Sequence, residues 1–148
     1  MKENRWIVIL GVVLIGFLAS FSKDRHRQTK NNIENYIQSG TWRITKFIDS
    51  GTDETAHFTG YTFSFNSGGL LRATNGSNTY DGTWSITDSN SKDDTQDDLD
   101  FNINFSAPAD FEDLSDDWDF LSHYENRIEL RDISGGNGGV DYLTFQKN

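Results

Sequence analysis

The sequence predicts an all-β protein: an eight-stranded up-and-down antiparallel barrel with a short N-terminal helix. Three observations carry this prediction. Eight short runs with alternating apolar residues follow one another between Trp42 and Gln146. Turn signals rich in Gly, Asn and Ser separate most of them at short spacing. Phe, Tyr and Trp make up 14% of the chain, ring surface that can give a small all-β domain a dense core. A two-sheet sandwich is the competing arrangement, but an even number of strands joined by short turns favours closure into a barrel.

The elements follow in order. In Asn31 to Gln38, Ile33, Tyr36 and Ile37 stand at i, i+3 and i+4, a short helical stripe that Gly40 ends. This helix is expected to plug one barrel end. The strand-like runs are Trp42 to Ile48, Tyr61 to Phe65, Leu70 to Thr74, Thr79 to Thr87, Leu99 to Phe105, Asp117 to Tyr124, Arg127 to Ile133 and Val140 to Gln146. The fourth alternates cleanly, with Tyr80, Gly82, Trp84 and Ile86 on one face. Asn66 to Gly69 and Asn75 to Asn78 are turns, Asp88 to Asp97 is a polar loop, and Gly135 to Gly139 is a Gly-rich turn. Phe111 and Leu114, spaced i, i+3, mark a helical turn within Ala109 to Ser115. In an up-and-down meander the first strand starts where the last one ends, so Trp42 is expected near Lys147. A cation over an indole face contributes ~0.5–2 kcal/mol.

Ahead of the barrel lies a leader. Trp6 to Phe21 is free of charge, with Lys2 and Arg5 before it. The run is short for a spanning helix, which takes ~20 apolar residues, and matches a signal peptide with small residues at its exit. Cleavage after export and retention as a membrane anchor are both open. Residues 23–30 are basic and can rest on anionic head groups. The chain thus divides into a signal peptide or signal anchor (1–22), a basic linker with a short helix (23–38) and a barrel domain (39–148). The expected location is exported: periplasm, cell surface or membrane-anchored.

Charge narrows the partners. The chain carries a formal net charge of −10, and its acids crowd into residues 88–119, where Lys92 is the sole base. Nucleic acid is excluded as a partner, because a phosphate backbone needs clustered Lys and Arg. The acidic stretch reads first as a solvated rim. Calcium takes carboxylate oxygens, but Asp93 to Asp98 lacks EF-hand spacing, so no metal site is assigned. With no Cys there is no disulfide, thiol nucleophile or Cys-based zinc site.

Gly40-Thr41-Trp42, Gly60 to Phe65, Gly82-Thr83-Trp84, Leu114 through Trp118 and Leu143 to Lys147 carry a resemblance when taken in order. Over Ser39 to Lys147 the chain resembles the lipocalin-like domain proteins, small exported proteins of Bacteroidota. The resemblance implies a β-barrel with a ligand-sized interior, usually lipid-anchored and mostly without assigned activity. Lipocalins pair the first-strand Trp with an Arg from the end of the barrel, where this chain has Lys147. The residue after Leu18-Ala19-Ser20 is Phe21, not the Cys a lipid anchor requires.

No catalytic constellation emerges. His26, His57 and His123 are far apart in sequence, and alternation in the sixth run points His123 away from Trp118 and Phe120. No GxSxG elbow is present. The expectation is a protein that is not an enzyme and uses no cofactor. The candidate site is the interior: Phe63, Phe65, Tyr80, Trp84, Phe101, Phe105 and Trp118 as contacts for a small apolar or amphipathic ligand. An eight-stranded barrel is just wide enough to be filled by side chains or to hold one small ligand, and the two outcomes are open. If it is filled, the alternative is an envelope interaction or inhibitor-type protein working through its acidic loops. A monomer is expected.

Overall fold

The computed structural model describes residues 27–88, 99–133 and 139–148. The leader, His26, the polar loop after Asp88 and nearly all of the Gly135 to Gly139 turn lie outside the described residues.

Residues 27–38 form helix α1. Ile33 and Ile37, one turn apart, are fully buried. Gly40 ends the approach with φ +107, a backbone conformation glycine adopts without strain. Then come strands β1 (Trp42–Asp49), the stub β2 (Thr52–Asp53), β3 (Thr62–Phe65), β4 (Leu70–Thr74), β5 (Thr79–Asp88), β6 (Leu99–Asn104), β7 (Asp116–Tyr124), β8 (Arg127–Asp132) and β9 (Asp141–Lys147). A one-turn helix α2 (Ala109–Glu112) precedes β7, and a 3₁₀ turn (Thr55–Phe58) precedes β3.

Apart from the β2 stub at the end of β1, each strand pairs with its neighbour in sequence, and β1 pairs with β9. The sheet is therefore a closed antiparallel barrel of eight strands, as the alternation predicts. The seam runs from Trp42 opposite Lys147 to Ile48 opposite Tyr142. The α1 end of the barrel carries Trp42, Tyr124, Arg127 and Lys147; the far end carries Asp49, Thr74, Asp116 and Asp132.

Two bulges reset the alternation. In β1 the register shifts between Ile44 and Lys46, and in β7 between Phe120 and Ser122. An extra residue in one strand turns everything after it to the other face. In β1, Thr45 is the extra residue, so Phe47 rather than Lys46 follows Ile44 into the core.

The repeated Gly-Thr-Trp tripeptide has two different structural reasons. Gly40 supplies the positive φ. At Gly82 the β6 strand passes so close that a Cβ would strike the Asn104 carbonyl and come within 2.8 Å of the Phe105 ring. Each buried indole gives its N–H to a backbone carbonyl: Trp42 to Ile37 at 2.8 Å, Trp84 to Asn66 at 3.0 Å and Trp118 to Leu114 at 3.0 Å. Buried Trp needs such a partner.

Candidate functional site at the helix-capped end

The barrel interior is traversed by rings in contact. Starting at the far end, Phe111 stands 6.1 Å from Phe63, Phe63 5.5 Å from Phe145, and Phe145 5.4 Å from Phe65, measured between centroids. Phe65 lies 5.5 Å from Phe101, and Phe101 5.7 Å from Phe120. Such separations are those of packed aromatic pairs. The predicted site residues fall into groups along this column. Phe65, Phe101 and Trp84 form one cluster, with Trp84 5.6 Å from Phe65. Phe63, Tyr80 and Phe105 gather around Phe111. Trp118 stands apart from both, against Phe47 at 6.4 Å. Tyr80 is partly exposed and the other six are buried.

Phe111 stoppers the far end. Tyr80, Tyr61, Phe105 and Phe58 surround it at 4.9, 5.0, 5.2 and 5.3 Å. The i, i+3 spacing of Phe111 and Leu114 signals the helical turn, but only the fold shows that α2 carries the plug. His57 of the 3₁₀ turn faces Asp110 of α2 at 3.6 Å across the same end.

The α1 end is built differently. Helix α1 lies over the rim, and the Lys147 ammonium donates to the Tyr36 carbonyl at 3.2 Å and to the Ser39 hydroxyl at 3.1 Å. A cation is well placed at the carbonyl-rich end of a helix. Between α1 and the end of β7 the surface sinks into two adjoining hollows. One, of about 340 Å³, is lined by Ile33, Leu99, Phe120 and Leu121; the other, of about 670 Å³, by Asn32, Asn35, Tyr36 and Glu125. His123 and Tyr124 line both.

His123 corrects an expectation. The plain alternation of β7 turns it away from Phe120, yet its ring meets Phe120 edge-on at 5.7 Å and stacks on Tyr36 at 6.3 Å. The cause is the bulge at Leu121, which places His123 opposite the buried Ile128 and so on the inner face. The ring remains partly exposed, and its partial desolvation holds the imidazole below the ordinary pKa, so the neutral ring dominates at pH 7. Tyr36 is pushed up by burial, and its enclosed hydroxyl has no hydrogen-bond partner among the described residues. Tyr124 is 64% exposed and Leu121 48%. Sequence reasoning missed this site because its halves lie some ninety residues apart and the bulge hides His123.

The two described histidines thus stand at opposite ends of the barrel. At the far end the carboxylates approach each other in two groups: Asp49, Glu54 and Asp113, and Asp116, Asp117 and Asp132. Burial pushes Asp116 up to about 6, and the nearby Asp132 and Asp117 charges add to the shift.

Fold and site together define a small closed up-and-down barrel with a ring-packed interior and a hollow beside its capping helix. Among solved structures, the chain is similar to a DUF4847 family protein from Bacteroides vulgatus. That likeness has a TM-score of 0.50 and 17% identity, and covers 78% of this chain and 97% of the other. At that identity the likeness shows the fold alone, a small barrel. No protein-family model matches the chain, and no curated protein matches it.

Proposed function

We propose that this protein is a non-enzymatic, exported barrel that binds a small amphipathic molecule in the hollow between α1 and β7. One observation carries the reading: the barrel interior is occupied by rings in mutual contact, whereas the α1–β7 hollow is open and lined by polar side chains and an exposed ring. Hollows of a few hundred Å³ that combine apolar walls with a few polar groups are the usual form of small-molecule sites. In this reading Phe63, Phe65, Tyr80, Trp84, Phe101, Phe105 and Trp118 are the packing that holds the groove, and the lipocalin-like character lies in the architecture alone. The charge-free run of residues 6–21 supports export, whether cleaved or kept as an anchor.

A second reading keeps the inhibitor-type alternative, with the far end as the contact surface. The two carboxylate groups there favour it, since concentrated charge steers a basic partner.

Backbone chemical-shift mapping against a panel of amphipathic small molecules tests the first reading. Shifts centred on Tyr36, His123 and Tyr124 are expected. Shifts centred on Phe65 and Phe101, with a change in Trp84 and Trp118 emission, would put the ligand inside the barrel and sink the proposal.

A further inference from the structure

The α1–β7 hollow also carries information about what it takes. Lys147 is the one Lys or Arg among its described lining residues. Lys147 Nζ is held by the Tyr36 carbonyl, the Ser39 hydroxyl and the Trp42 ring. Two of the three Lys147 donors are thereby used, and the Glu125 carboxylate among the same lining residues offsets its charge, so the described lining carries no net positive charge. Such a lining gives an anion little selective attraction.

What the hollow does offer is uncharged hydrogen bonding beside flat rings. The side-chain amides of Asn32 and Asn35, one helical turn apart on α1, make no hydrogen bond among the described residues. Each amide carries two donors and an acceptor. A neutral His123 adds a donor and an acceptor, and the Tyr36 hydroxyl is unpartnered. Tyr124 presents an exposed ring beside them. An alkyl chain in this place would leave the amides covered and unpaired, at a cost of about 1–3 kcal/mol for each group so stranded. A ligand that fits must alternate hydroxyls with a C–H face that can lie on a ring.

From this juxtaposition we propose that the hollow between α1 and β7 is a site for a neutral saccharide, with Tyr124 as the stacking platform and Asn32 and Asn35 as the hydroxyl-reading groups. The proposal rests on the binding reading above and names its ligand class. One or two sugar rings match the size of the hollow, and the shallow, open geometry suits the end of a glycan.

The test uses the full chain and two probe sets: neutral mono- and disaccharides, including N-acetylated hexosamines, and short alkyl alcohols and fatty acids. Saturation-transfer NMR detects binding, and titration gives its strength. Saccharide binding is expected, weakened about tenfold by Tyr124→Ala and by the pair Asn32→Ala, Asn35→Ala, and unchanged by Leu70→Ala on the outer wall. Both Asn32 and Asn35 are exposed, and amide shift dispersion verifies that each variant is folded. Alkyl probes that bind and lose affinity in Tyr124→Ala, with saccharides silent, would overturn the saccharide class while keeping the groove. Saccharide binding indifferent to all three substitutions would overturn the placement. Silence of both probe sets at Tyr36, His123 and Tyr124 would overturn the class and the groove together.

Discussion

The Lys147 ammonium lies 5.1 Å from the centroid of the Trp42 ring while donating to two oxygens of the α1 terminus. One side chain therefore ties the last strand to the first and both to the capping helix. Replacing Lys147 by Met keeps the stem and removes the charge. We expect a loss of about 1–2 kcal/mol in urea unfolding, with Lys147→Arg losing much less because it keeps a cation over the indole.

Gly82 is a harder constraint than Gly40. A methyl group at position 82 meets the Asn104 carbonyl and the Phe105 ring, so β5 and β6 must part. Gly82→Ala is expected to destabilise by about 1–3 kcal/mol, as overpacking does. Equilibrium denaturation measures it, and a loss below ~0.5 kcal/mol would show that β6 yields freely.

Truncating the far-end plug removes the ring that five others touch. Phe111→Ala is expected to cost about 3–5 kcal/mol. The void it leaves is apolar, the kind that stays dry and takes up benzene. Benzene should therefore raise the melting temperature of Phe111→Ala and leave the parent protein unchanged.

Asp116 sets a pH dependence of unusual sign. Its carboxyl is raised in the folded protein from an ordinary 3.8 to about 6. Between those values the native state holds a proton that the unfolded chain has released. Stability is then highest below pH 4 as far as this group is concerned, falls as pH rises to 6, and is flat above. The group is only partly buried, so screening by solvent reduces the effect to about 1 kcal/mol. Asp116→Asn should abolish that fall, read as urea midpoints of both proteins across pH 4 to 7. Parallel curves would assign the fall to another group.

The barrel was legible in the sequence because its evidence is local. Alternation marks Tyr61, Phe63 and Phe65, or Tyr80 and Trp84, within a handful of residues, and the Asn66 to Gly69 turn has the glycines its positive φ values demand. Antiparallel neighbours then follow with little choice. The meander likewise brings Trp42 to Lys147 by count alone. What stayed hidden depends on single insertions and on distance. A bulge at Thr45 or Leu121 has no marker among its neighbours, yet it decides which face Phe47 and His123 occupy. The column of rings was visible as composition, but whether rings fill a space depends on distances between strands that no run of residues encodes.

The seam between β1 and β9 pairs Trp42 with Lys147 and Ile48 with Tyr142, partners that lie about a hundred residues apart. Every other full-length pairing joins strands adjacent in the chain. Closure is thus the longest-range event of folding and among the slowest. A chain emerging from the ribosome holds an open and unfinished sheet until β9 is free to join. The seam makes the final strand a timer: the sheet stays pliable until β9 is in place and becomes a barrel only then.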